Sequence, residues 1–263
     1  ITGNVPVANI KAILLATTGK VTATLEAGDA AAIKTALADT VVNNIAVTVN
    51  GLTAAATDLL SIIDKTSAKV KVDAVAITGT VADLTKVYVT NKSSFTALGN
   101  EDVSITHVIP ATPISASDVN SIAKATTGTV AATVTAGRAA DLFADLRDAT
   151  SKDALYLSTS IGTDTAAELL ALDNKTSIIV NASATTGISG TAAELKKVFA
   201  SSGIKVDGDL VITVTDTASA ADVNAIAAKT TSAVTATIKD GSVAATLKAL
   251  SDVKNTDIIT FKT

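Results

Sequence analysis

Cysteine, methionine and tryptophan are absent from the 263 residues, and histidine occurs once. Without cysteine there is no disulfide framework and no thiolate metal site. Without methionine the chain reads as a processed or excised stretch of something longer. Aromatic residues make up only 2%, so the interior must be built from Ala, Val, Ile and Leu. Small aliphatic side chains suit layers that repeat evenly, and they do not supply the aromatic walls that ligand pockets recruit. The net charge of −4 is mild and spread along the chain. With so few rings, this gives neither the basic footprint nor the stacking platforms of nucleic-acid binding. No apolar run approaches the roughly 18–20 residues of a membrane span, and no signal peptide is visible at Ile1. Neither nucleic acid nor membrane insertion is expected.

What is present is repetition, which governs the reading of everything else. Hydrophobic residues make up 48%, enough for a sizeable core. "ATTGKVTATLEAG" from Ala16 returns as "ATTGTVAATVTAG" from Ala125 and "KTTSAVTATIKDG" from Lys229. Between them a helical phrase and a strand phrase alternate about ten times. Leu84, Val87 and Tyr88, like Leu195, Val198 and Phe199, fall at i, i+3 and i+4 and make one narrow apolar face. Thr80 with Asp83, Ser115 with Asp118, Thr165 with Glu168, Thr191 with Glu194 and Ser219 with Asp222 have capping-box spacing. Helices of about ten residues barely form alone, so neighbours must hold them. The strand phrases "VTATL", "IAVTV", "VKVDA", "VAATV", "LVITV" and "VTATI" are apolar at every second position, the period of a half-buried strand. Gly28, Gly51, Gly79, Gly99, Gly137, Gly190, Gly208 and Gly241 punctuate the units.

Strand and helix alternating in one direction imply parallel pairing, and a unit this short buries its apolar faces only by stacking. The expected fold is α/β: a repetitive β/α solenoid with one long parallel sheet and a row of short helices on one side. Residues 1–263 are expected to form a single solenoid of about ten units, grouped into longer blocks of 1–110, 111–217 and a partial 218–263. Strands in register would align Thr24, Thr48, Asp73, Thr106, Thr133, Ser158, Asn181, Thr213 and Thr237 on the exposed sheet face. Threonine is also a natural filler there, because its β propensity is high. The neighbouring row, with Lys71, Tyr156, Ile179 and Val211, is uneven and suits a protein partner better than an ice lattice.

"ITGTVADL", "LGNEDVSIT", "SASDVNSIAKATTGTV" and "SAADVNAIAAKTT" are similar to the wording of long tandem arrays in very large secreted or surface proteins of cyanobacteria and other bacteria. The resemblance covers essentially the whole chain and rests on repeat wording. It implies an extracellular or cell-surface location and a structural or adhesive role, with no catalytic residues to carry over. The expected function is a repeat segment of an extracellular filament, sheath or surface layer that self-associates. The alternative is an adhesin or ligand-binding array using the Thr-rich face on a glycan, cell surface or ice. Partners would be copies of itself or further repeats of the parent chain. The expected end-to-end joints are residues 1–7 and 257–263, with Ile1, Val5, Val7, Ile258 and Phe261 as the contact side chains.

No enzyme is expected. A catalytic triad needs its histidine beside a nucleophile and an orienting acid, and His107 at a strand end before Pro110 reads as an ordinary residue. The acids recur at helix starts, where capping accounts for them. Residues 99–102 and 207–209 are acidic turns whose oxygens are of the type calcium takes. No EF-hand loop or calcium-binding nonapeptide accompanies them, so solvated turns are favoured and no cofactor is expected. The sequons at Asn91, Asn174 and Asn181 read as chance in a Thr- and Ser-rich chain.

Overall fold

The computed structural model describes residues 1, 3–106, 114–239 and 248–262; His107 lies outside them. The chain divides into two compact units, Ile1–Ala132 and Thr133–Thr263. Neither boundary of the long sequence blocks falls at this division.

Unit 1 runs β1 (Asn4–Val5), α1 (Val7–Leu15), β2 (Thr22–Leu25), α2 (Ala30–Leu37), β3 (Asn44–Val49), β4 (Thr53–Ala55), α3 (Ala56–Ile63), β5 (Val70–Val72) and β6 (Ala76–Gly79). It continues with α4 (Val81–Thr85), a π turn over Lys86–Thr90, β7 (Phe95–Thr96), β8 (Asp102–Ile105), α5 (Ala116–Ala123) and β9 (Val130–Thr133), across which the division falls. Unit 2 runs α6 (Ala139–Asp145), β10 (Ala154–Tyr156), β11 (Gly162–Thr165), α7 (Ala166–Asp173), β12 (Val180–Asn181), β13 (Thr185–Gly190) and α8 (Ala192–Ala200). β14 (Ile204–Lys205), β15 (Val211–Ala218), α9 (Ala220–Ala227), β16 (Val234–Ile238) and β17 (Ile258–Phe261) complete it.

The result is a repetitive α/β fold whose strand pairs are parallel, as the repeated phrases require. One long sheet is not what forms. In unit 1, β1, β2, β3, β5 and β7 make one parallel sheet, and β4, β6, β8 and β9 pair in another. Unit 2 has a five-stranded sheet in the order β11-β13-β15-β16-β17 and a separate β12-β14 pair. The cause is a corner inside the repeat. Gly51 and Gly99, with φ of 115° and 120°, lie between strands of different sheets, and Gly162, with φ of 144°, opens β11 where its register with β13 shifts; side chains rarely enter this region. Gly51 and Gly99 therefore turn the chain within a repeat instead of separating repeats.

Helix starts follow the expected chemistry. The side-chain oxygens of Thr80, Ser115, Thr165, Thr191 and Ser219 each accept from the backbone N–H three residues on. Only Glu168 and Glu194 also reach back to the cap N–H and close the box. Aspartate is one methylene shorter, so Asp83, Asp118 and Asp222 accept from the cap hydroxyl instead. Successive helices pack side by side within each unit. Leu84, Val87, Tyr88, Leu195 and Val198 are buried on the predicted faces and Phe199 is half-buried; each buried aliphatic side chain is worth roughly 1.5–3 kcal/mol. The strands bury alternate residues, as in Ala23 and Leu25 or Val103 and Ile105.

Candidate functional site

In several repeats the chain passes from helix to strand through a threonine that is followed directly by Ser or Thr. Four of these, Thr66, Thr126, Thr176 and Thr230, are buried. Thr66 Oγ1 accepts the Ala68 N–H at 3.1 Å, closing its own turn. It also accepts the Ile45 N–H at 3.0 Å and donates to the Ile45 carbonyl at 2.7 Å, one repeat earlier. Thr176 does the same to Leu155, at 3.0 and 2.7 Å, and to its own Ile178 N–H at 3.0 Å. Thr126 donates to the Glu101 carbonyl at 2.6 Å, and Thr230 donates to that of Leu210 at 2.5 Å. One hydroxyl thus holds a turn and clips it to the strand beneath. Asn43 and Asp257 reach down in the same way, accepting the N–H of Val21 and Val234 at 2.8 Å. Lys65 adds a bond to the Thr40 carbonyl and Lys175 to those of Arg147 and Ala149, capping carbonyls near the preceding helix end.

Carboxylates serve between repeats too. Asp164, 2% exposed, accepts from the Ala139 N–H at the start of α6, from Arg138 Nε at 3.0 Å and from Thr185 Oγ1 at 2.7 Å. Arg138 occupies the N-cap position and makes no cap bond with its own side chain, so the cap comes from the following repeat. Asp216 likewise accepts the Ala192 N–H of α8 at 2.8 Å. In the acidic turn 99–102, Glu101 points inward and is 2% exposed. Its Oε2 accepts the Gly99 N–H at 2.8 Å, the Asn100 N–H at 3.2 Å and Tyr88 Oη at 3.2 Å. Burial, reinforced by that carboxylate, pushes the Tyr88 phenol well above its ordinary range. Asp102 accepts from the Thr129 N–H and Oγ1. Within this turn Glu101 is enclosed by the protein, while Asn100 and Asp102 stay exposed, as do Asp207 and Asp209 of the other acidic turn. Among the described residues no group of three or more His, Cys, Asp or Glu stands where a metal could be held.

The nine residues expected on one exposed row are all exposed or half-buried, but within each unit their register partners are mostly other residues. Thr24 lies opposite Ala46, Thr48 opposite Lys71, and Thr213 opposite Ser189 and Thr235. Thr237 lies opposite Thr217 and Thr260. Asp73, just past β5, pairs with Lys71 at 2.6 Å, and the Thr106 N–H donates to Gly79. Only Ser158 and Asn181 are paired with each other. The repeats differ in length: Val5 lies opposite Leu25, Thr22 opposite Asn44, Val47 opposite Val70 and Val70 opposite Phe95, offsets of 20, 22, 23 and 25 residues. Equal places in the wording are therefore not equal places in the ladder. Of the uneven row, Tyr156 and Ile179 do come together. The Ser158–Asn181 bridge sets them side by side, and they are 59% and 56% exposed.

The expected joints divide similarly. Ile1, Ile258 and Phe261 are exposed, whereas Val5 is buried and Val7 half-buried at the start of α1. Phe261 lies opposite the buried Ile238 yet stays 53% exposed. Two shallow grooves run between neighbouring helices. One, of about 750 Å³, is lined by Val7, Ala8, Lys11, Ala31 and Thr35 among others. The other, of about 140 Å³, is lined by Lys196, Phe199, Ala200, Ala225 and Lys229. Compared with protein-family models, curated proteins and solved structures, the chain matches none.

Proposed function

We propose that this chain is a structural solenoid segment that associates with copies of itself in an extracellular filament, sheath or surface layer. The observation that carries the reading is the use of buried polar side chains. Thr66, Thr126, Thr176, Thr230 and Asp164 each make a hydrogen bond to the preceding repeat. Such a fold holds spacing and register, which is what a scaffold supplies. The repeat wording, similar to that of large secreted surface proteins, supports the location. Phe261 and Ile258, apolar and exposed on a strand paired on one side by β16, are the side chains a neighbouring copy would cover. Negative-stain images of the purified chain should show fibres or sheets, and Phe261→Asp should shorten or abolish them. Monodisperse particles at every concentration would contradict the proposal.

The second reading, a binding array, is favoured by Tyr156. Its ring stands exposed beside Ile179, with Ser158 and Asn181 paired next to them, and aromatic side chains combine a large apolar area with a polar tip. Glycan-array binding that is lost in Tyr156→Ala, with the fold unchanged, would select this reading over assembly.

A further inference from the structure

The geometry points to a spontaneous modification site at Asn50–Gly51, independent of the assembly proposed above. This is the one Asn-Gly step in the sequence, and it occupies the corner between β3 and β4. Both residues are exposed, and Gly51 has φ of 115°. The Asn50 N–H donates to the Gly28 carbonyl at 2.9 Å, and the Gly51 carbonyl accepts from the Val75 N–H at 3.0 Å. The Asn50 carboxamide and the Gly51 N–H are left over. Neither makes a hydrogen bond to another described residue. They are the electrophile and the nucleophile of imide formation, and glycine, lacking Cβ, hinders the approach least.

The step balances without an oxidant or reductant. The Gly51 nitrogen attacks Asn50 Cγ, a nitrogen–Cγ bond forms, and the Cγ–Nδ2 bond breaks. The amide proton leaves with the departing nitrogen as ammonia. Solvent water then opens the five-membered imide at either carbonyl, giving aspartate or the β-linked isoaspartate. The aspartate route puts a new carboxylate at the corner. A Cβ on Gly51 would lie 3.9 Å from Asp29 Oδ2, so that carboxylate joins one already at the start of α2. The isoaspartate route lengthens the backbone between two ladder bonds. Asn4, Asn9, Asn44, Asn91 and Asn255 each precede a residue whose side chain hinders the attack, and several others are held by hydrogen bonds. Asn43 is buried with both amide atoms bonded, Asn174 donates to Leu170, and Asn181 accepts from Ser183. Asn224 is tied to Asp252. Asp207–Gly208, also exposed, needs a protonated carboxyl to lose water and so reacts more slowly at neutral pH.

The folded chain, incubated in mildly alkaline buffer and sampled over time, is digested and mapped by mass spectrometry with isoaspartate-specific methyl labelling. The Asn50 peptide should gain the amide-to-acid mass shift and methyl acceptance several-fold faster than any other asparagine peptide. Intact protein should show an acidic shift on isoelectric focusing that Asn50→Gln abolishes. An Asn50 peptide unchanged in folded protein while it converts in urea, or other asparagines converting as fast, would overturn the assignment.

Discussion

The tetrapeptide Ala-Thr-Thr-Gly occurs at residues 16–19, 125–128 and 184–187, and the two copies within unit 1 are placed differently. In the second, Thr126 is 8% exposed and donates to the Glu101 carbonyl. A Cβ on Gly128 would run into that same carbonyl, so glycine lets the two backbones meet. In the first copy Thr17 is exposed and its hydroxyl accepts only from Gly19 N–H. A Cβ on Gly19 would make an ordinary 3.5 Å contact with Thr17 Oγ1. Identical letters give the same turn in both places and an inter-repeat clip in one. The charged version of the contrast is Asp29 against Asp164. Asp29 caps its own helix at the surface through the Ala31 and Ala32 N–H groups. Asp164 is buried and caps the helix of the preceding repeat.

That contrast can be broken by paired substitutions, measured as unfolding free energy in urea. Asp164→Ala should cost the most, about 2–4 kcal/mol, because it leaves the Ala139 N–H and the Thr185 hydroxyl without their buried acceptor. Asp29→Ala should cost about 1 kcal/mol, as for an ordinary N-cap. Thr66→Val should cost about 2–3 kcal/mol, since both backbone groups of buried Ile45 lose a partner, while Thr17→Val should stay within about 0.5 kcal/mol. Gly128→Ala should cost about 1–3 kcal/mol by overpacking, and Gly19→Ala within about 0.5 kcal/mol. Equal losses within any pair would sink the distinction.

The smallest effect should be acid sensitivity at the surface caps. Hydrogen bonds from Thr191 hold the Glu194 carboxyl below its ordinary range. Lys196, with Ser219, does the same for Asp222. A carboxyl lowered on folding stabilises at pH values above its unfolded value, and the gain is lost as pH falls through the folded value. Melting temperature should therefore decline as pH drops below about 4. Lys196→Met should flatten that decline slightly, an exposed pair being worth under about 1 kcal/mol. A decline centred near neutrality would contradict this origin.

Short-range features were legible in the wording. The five hydroxyl caps, the buried face of Leu84, Val87 and Tyr88, and the strand alternation depend on residues within a turn or two. What was not legible depends on the repeat next door. Glu101 reads as a surface acid until Tyr88 and two backbone N–H groups enclose it. A single exposed row fails because repeat length drifts, and a period-2 strand registers every slip. Gly51 and Gly99 turn the chain between sheets at positive φ, and composition does not distinguish these from other turn glycines. A signal for the clips did exist: threonine followed by Ser or Thr recurs at Thr66, Thr126, Thr176 and Thr230.

Native-state amide hydrogen exchange is the direct test of the clip, because the amide concerned is one the threonine itself receives. In the unaltered chain the Ile45 N–H, bonded to Thr66 Oγ1, should exchange only by large openings. In Thr66→Val its protection should fall by about 10- to 100-fold, matching a lost bond of roughly 1.4–2.8 kcal/mol. Ala23, in the strand next to β3, should keep its protection in Thr17→Val. An Ile45 amide equally protected with and without the hydroxyl would contradict the claim that threonine holds one repeat to the next.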